Sequence, residues 1–333
     1  MGKPALEPKT WAPPRSPGLR GRWQQNAVLA GLELLPIPGS GAEDVAVLPD
    51  GDLVTGLAEG RICRLSPDGR HIEIVADTGG RPLGIEVRHD GQLVVCDATR
   101  GLLLVHPTSG AIEVLADRFD GRPLRFTNNA ALHRDGSILF SDSSRRFGLE
   151  HFKGELLEHS ETGRLLRWQD GEVDLVADGL AFANGVALTH GGDAAWVAET
   201  GAYRISRVWL AGERAGQREV IADNLPAFPD NLSTGSDGTV WVALPSTRDA
   251  ALDALLPRPP VLRKVVWALP DALQPRAKRL SFVAGFSPDG TLTHNLQGPG
   301  DRFHYVTGVR EHHGMLYLGS LVETAIARIP LPA

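Results

Sequence analysis

Four oxygen-bearing side chains recur at a single phase of a repeated pattern in this chain. Glu43, Asn128, Asn184 and Asp230 each stand eight residues before a turn glycine that opens a short apolar run. Those glycines are Gly51, Gly136, Gly192 and Gly238, and at the same phase Leu83 precedes Gly91 and Val306 precedes Gly314. Asn and Asp are ordinary turn residues one at a time, so the signal is the shared phase. Two carboxylates converging in a partly desolvated space repel each other and raise at least one pKa. A divalent cation removes that conflict, with the two amides adding neutral carbonyl oxygens. All-oxygen ligation suits hard cations, and the lack of Cys and His at this phase argues against a structural zinc centre. One divalent ion is expected; Ca²⁺ is favoured for its flexible geometry, with Mg²⁺, Mn²⁺ or Zn²⁺ as alternatives.

The elements that must carry these residues follow from the same repeat. Six copies of a turn glycine followed by a strand occur, among them Asp50-Gly51-Asp-Leu-Val and Asp237-Gly238-Thr-Val-Trp-Val. Several have a second hairpin behind them, and Asp-Gly between apolar runs is hairpin chemistry. With 38 glycines and 24 prolines in 333 residues, the composition suits many short strands joined by turns. Six small sheets cannot each bury two faces alone, so radial packing around a channel is the stable solution. The fold predicted is all-β, a six-bladed β-propeller with four-stranded antiparallel blades and helical insertions over the top face. Residues 1–25 read as an extended N-terminal arm and 26–333 as one domain. The stretch from Asn26 to Pro36 is expected to give a strand to the last blade and close the ring. Equivalent positions on the innermost strands would then face one axis.

Two insertions interrupt the repeat, at 145–162 in blade three and 246–279 in blade five. The second, broken by Pro257, Pro259 and Pro260, reads as short amphipathic helices. A lid over the site is the first reading, an intersubunit contact the second and a membrane contact the third.

The net charge of −6, with both signs mixed along the chain, leaves no basic footprint for nucleic acid and points to a small-molecule substrate. The segment from Met1 to Arg22 lacks the apolar run of a signal peptide or membrane span. A cytoplasmic monomer or homodimer without membrane contact is therefore expected. The two cysteines, Cys63 and Cys96, show no metal or redox spacing. Of eleven histidines, His304 is the best catalytic candidate, because it lies two residues before Val306 and so on the same face of an extended strand.

Taken together, Gly41-Ala-Glu43-Asp-Val, Arg125-Phe-Thr-Asn128-Asn, Leu180-Ala-Phe-Ala-Asn184-Gly-Val, Val197-Ala-Glu199-Thr, Phe228-Pro-Asp230-Asn231 and Glu311-His-His-Gly-Met resemble the SMP-30/gluconolactonase family, and more closely its strictosidine synthase-like branch. The resemblance implies a six-bladed propeller with its metal on Glu43, Asn128, Asn184 and Asp230. It also implies a hydrolase of lactones, aryl esters or organophosphates, with Asp230 as base or nucleophile and Glu43 as a permanent ligand. Thr307 stands where strictosidine synthases carry a catalytic Glu, so a Pictet–Spengler condensation is not expected. Leu83 replaces the His of paraoxonase-like lactonases, and Asn129 replaces their acidic ligand for a second Ca²⁺. His294 resembles a family position in blade six. A non-catalytic binding module with a structural metal, and a metal-dependent lyase or isomerase of aromatic metabolites, are the alternatives.

Overall fold

The computed structural model describes residues 3–270 and 277–332, so 271–276 of the blade-five insertion lie outside the described residues. Six four-stranded antiparallel sheets follow one another along the chain. Their innermost strands are Ala46–Val47, Pro82–Val87, Thr127–Leu132, Ala183–Leu188, Leu232–Thr234 and Val306–His312. The last blade is completed from the other end of the chain: Glu33–Pro36 pairs antiparallel with Ala325–Pro330, Leu35 opposite Ile326. The expected closing strand is therefore present, although Val28–Gly31 ahead of it forms a 3₁₀ turn. Pro36 is tolerated because the strand is outermost and its neighbour on the far side is absent.

The repeat turns have a physical cause. All six repeat glycines have positive φ, from +74° at Gly314 to +90° at Gly51, a region L side chains rarely adopt. In four of the turns the preceding Asp accepts a hydrogen bond from the backbone N–H just beyond the glycine. Asp52 N donates to Asp50 at 3.1 Å, Gln92 N to Asp90 at 3.1 Å, Ser137 N to Asp135 at 2.9 Å and Thr239 N to Asp237 at 2.9 Å.

Blades pack through apolar layers. Trp196 and Ile205 of blade four meet Val242 and Phe282 of blade five, and Trp23 of the N-terminal segment enters this layer edge-on, 5.9 Å from Phe282. Around the channel, polar residues and glycines alternate. Asp44, Asn129 and Asn231 of blades one, three and five lie against Gly308, Gly84 and Gly185 of blades six, two and four. Asp44 accepts from Ile85 N at 3.2 Å and Asn129 from Val186 N at 2.8 Å, each across a blade boundary. The glycines let neighbouring backbones close on one another. A methyl at Gly185 would fall 2.2 Å from Leu232 N and 2.5 Å from Asp230 O, and one at Gly308 2.6 Å from Glu43 O.

Three helices come from the insertions: α1 (Phe152–Glu158), α2 (Ala250–Leu255) and α3 (Pro260–Ala268). Asp249 caps α2, accepting from Ala251 N and Leu252 N at 2.8 and 2.9 Å, and Pro260 opens α3, where a missing N–H costs nothing. Residues 3–20 hold no helix or strand, yet they are tied down over these helices. Trp267 Nε1 donates to Pro4 O at 2.8 Å, Arg263 Nη1 to Lys9 O at 2.7 Å and Arg248 Nη2 to Pro14 O at 2.7 Å.

Gly185→Ala should lower stability by about 1–3 kcal/mol, the usual cost of overpacking a close contact. Gly31→Ala, where an added methyl meets nothing within 4 Å, should leave the thermal melting temperature unchanged.

Candidate metal centre and substrate cavity

The four phase-matched residues come together. Glu43, Asn128, Asn184 and Asp230 all line one cavity of about 360 Å³ at the end of the channel where the innermost strands begin. Local backbone explains how. Asn128 lies between Thr127 and Ala130, and Asn184 between Ala183 and Val186, where the strand register slips. Such bulges re-aim a side chain off the ladder. Glu43 and Asp230 reach the cavity from loops, before their strands begin at Ala46 and Leu232.

Each amide nitrogen is turned to its own blade. Asn128 Nδ2 donates to Ser143 Oγ at 3.0 Å, and Asn184 Nδ2 to Thr200 Oγ1 at 3.1 Å, which in turn donates to Pro229 O at 2.6 Å. The carbonyl oxygens are thereby left over. Asn128 Oδ1, Asn184 Oδ1 and Glu43 Oε2 are buried without a hydrogen-bond partner among the described residues, on side chains only 3–4% exposed. The other Glu43 oxygen, Oε1, accepts from Asn231 Nδ2 at 2.9 Å. Burial pushes the Glu43 carboxyl well above the usual carboxylate range, and the negative charges of Asp230 and Asp44 push it further. Burial likewise raises Asp230, opposed by the neighbouring Asn184 amide and reinforced by the negative charge of Asp44. Three orphaned oxygens and two destabilised carboxylates in one cup fit a divalent cation on Glu43, Asn128, Asn184 and Asp230.

The walls are apolar, and the repeat phase locates part of them. Phe126, Phe182 and Phe228 all line the cavity, each ten residues before its repeat glycine, a regularity the reading of one phase alone passes over. Phe126 and Phe182 are in tilted contact at 5.7 Å. Above them stand Leu156 of α1, Leu252 and Leu255 of α2 and Val266 of α3, so both insertions cover the site.

His304 is not part of it. Tyr305 has φ +54°, which breaks the extended run that would put residues 304 and 306 on one face. Tyr305 lines the cavity, while His304 Nδ1 and its backbone N–H both meet Glu323 Oε1. The catalytic expectation for His304 fails on that geometry. His294 sits on the outermost strand of blade five, not in blade six, with its ring 4.9 Å from Trp241. Thr307 Oγ1 is committed to Glu43 O at 2.8 Å, and Cys63 and Cys96 are buried free thiols.

Residues 42–253 match the family model described as the SMP-30/Gluconolactonase/LRE-like region. The chain belongs to that family, and its curated relatives place it near the adipocyte plasma membrane-associated and strictosidine synthase-like proteins. It is 34% identical to the adipocyte plasma membrane-associated protein of Bos taurus over 317 residues, 87% of this chain and 76% of that protein. It is also 34% identical to the strictosidine synthase-like 13 protein of Arabidopsis thaliana, over 76% of this chain and 62% of that one. Among solved structures, a gluconolactonase from Xanthomonas campestris superposes with a TM-score of 0.67 at 19% identity, covering 100% of this chain and 98% of that one. The calcium-binding protein regucalcin from Agrobacterium tumefaciens superposes with a TM-score of 0.63 at 14% identity, covering 88% and 90%. These two likenesses establish the propeller fold. The relatives named for association with the plasma membrane overturn the expectation of a cytoplasmic location. Among the described residues, no helix is long and apolar enough to cross a membrane.

Helix α1 is anchored by a buried carboxyl. Glu155 of α1 accepts hydrogen bonds from Ser144 and Ser160, and burial, opposed by those bonds, raises it from 4.5 to about 7. A folded-state value above the unfolded one means that the neutral form's contribution is fully present below about pH 4.5 and is lost as pH rises towards 7. Glu155→Gln removes this loss. From about pH 5 to about pH 8 the variant's melting temperature should fall less than that of the unaltered chain.

Proposed function

We propose that this protein hydrolyses lactones or esters with an apolar acyl or aryl part, using one divalent cation, Ca²⁺ first, held by Glu43, Asn128, Asn184 and Asp230. The observation that carries the reading is the set of three buried, unpartnered oxygens on Glu43, Asn128 and Asn184 at the floor of a cavity walled by phenylalanine and leucine. The family supports a lactonase-like reaction, and a calcium-binding protein of the same fold supports the choice of ion. A bound cation of this kind supplies polarisation of a substrate carbonyl and charge stabilisation at its oxygen.

The chain's own residues do the rest. Phe126, Phe182 and Phe228 hold the apolar body of the substrate and exclude water from it, while the insertion helices close over the top. Asp230, raised by burial and less encumbered than Glu43, takes the proton of the attacking water as the water oxygen bonds to the carbonyl carbon. The acyl–oxygen bond then breaks, and the departing oxygen recovers a proton. Asp230 attacking directly as a nucleophile is the variant of this scheme. Glu43 stays oriented by Asn231 and serves as a ligand throughout. A strictosidine-type condensation finds no ionisable group at Thr307, whose hydroxyl is already spent.

Ca²⁺ titrated into chelator-treated protein should bind one to one and raise the melting temperature. Asp230→Asn at saturating Ca²⁺ should lose kcat for phenyl acetate and δ-decanolactone by at least about 10²-fold, as for removal of a positioned proton acceptor. Glu43→Gln should be restored largely by added Ca²⁺. Equal, calcium-rescued losses in both variants would remove Asp230 from the chemistry. Calcium binding without hydrolysis of any ester or lactone would instead make the chain a binding module with a structural metal.

A further inference from the structure

Charge accounting within the cavity goes one step beyond the metal floor. Six charged side chains line it: Glu43, Lys153, Asp230, Arg248, Asp249 and Lys278. Glu43 and Asp230 form the floor. Arg248 is fully engaged, with Nε on Asp253 at 3.0 Å, Nη1 on Asn224 Oδ1 at 2.7 Å and Nη2 on Pro14 O. Asp249 is spent on capping α2. Lys153 and Lys278 remain. Neither ammonium group has a hydrogen bond or ion pair among the described residues, although Lys153 is half-buried on α1 among Leu149, Phe152 and Leu156. With a divalent ion balancing the floor carboxylates, as proposed above, these two lysines would leave the cavity with uncompensated positive charge.

We propose that the cavity takes an amphipathic anion: a lactone or ester whose apolar body lies against Phe126, Phe182 and Phe228, and whose far end carries a carboxylate held by Lys153 and Lys278. The proposal rests on the hydrolase reading for which end meets the floor. A lysine ammonium donates to a carboxylate as a compact point charge on a flexible stem, which suits an anion presented at the mouth on chains of differing length. An uncharged hydrocarbon ester would leave Lys153 desolvated without a partner.

Binding and turnover separate this inference from the reading beneath it. Two ketones that cannot be hydrolysed, 6-oxo-6-phenylhexanoate and hexanophenone, are titrated calorimetrically into the full chain at saturating Ca²⁺. The acid should bind at least about tenfold tighter, the scale of one charge-assisted hydrogen bond, and added salt should shrink the difference. Lys153→Met with Lys278→Met should abolish it and Lys153→Glu should reverse it, while Lys264→Met on α3 should preserve it. Melting temperatures of the variants report whether each has folded. Equal affinity for the two ketones, or an acid preference that survives in the double variant, overturns the proposal, the second because the carboxylate then sits on the floor. In parallel, mono-phenyl adipate is compared with phenyl hexanoate as substrate. Selective, lysine-dependent binding with neither ester cleaved supports the ligand class and defeats the hydrolase reading; cleavage of both with no binding preference does the reverse.

Discussion

Glu43 Oε2, Asn128 Oδ1 and Asn184 Oδ1 are taken out of water without receiving a hydrogen bond, and each such atom costs a fold about 1–3 kcal/mol. Next to them, burial raises the proton affinity of the Glu43 carboxylate and the charge of Asp230 raises it further. No close-packed protein gathers such groups by accident of turn chemistry, because turn residues satisfy themselves on local backbone. Here the local partners are used to orient and not to satisfy. Ser143 and Thr200 take the amide nitrogens, Asn231 takes one Glu43 oxygen, and the oxygens left over belong to residues that line one cavity. A divalent cation, as proposed for this floor, would relieve that arrangement, and the surrounding structure keeps the four side chains in place.

The blades supply that rigidity through the channel lining. Glycines at 84, 185 and 308 allow strands from neighbouring blades to meet almost backbone to backbone, and Asp44 and Asn129 bond across the resulting seams. A displacement of one inner strand would therefore move its neighbour's ligand as well. The ring is closed by a strand drawn from the far end of the chain, so no blade edge is left to open near the site. Below the floor, Arg310 pairs with Glu86 at 2.7 Å and faces Asp44, which burial raises to about 6. Charge continues down the channel, where one guanidinium faces two carboxylates.

Over the floor the molecule changes character. Three phenylalanines from consecutive blades and the leucines of α1 and α2 make a water-poor chamber in which electrostatic contacts gain strength. The helices that roof it are too short to be stable alone. They are held by the N-terminal segment, which offers backbone carbonyls to Trp267, Arg263 and Arg248, and by Trp11 stacked on His159 at 4.1 Å. What would read as a loose arm is a strap across the roof.

The six-fold repeat, and with it the propeller and the four floor residues, was legible in the amino-acid order because an Asp-Gly turn and an apolar strand are local events. A residue at fixed distance from such a turn inherits the symmetry of the ring. The phenylalanines at 126, 182 and 228 were legible by the same rule. His304 was not, since a single left-handed residue, Tyr305, rotates the chain and cancels the alternation that a straight strand would impose. Nor could the order of residues say that Asn128 and Asn184 sit in bulges, or that among the described residues their oxygens are idle and Lys153 and Lys278 unpaired while Arg248 is not. Those facts depend on contacts between blades, insertions and the N-terminal segment, residues hundreds of positions apart, and long-range packing alone decides which polar atoms meet a partner and which are left for a ligand.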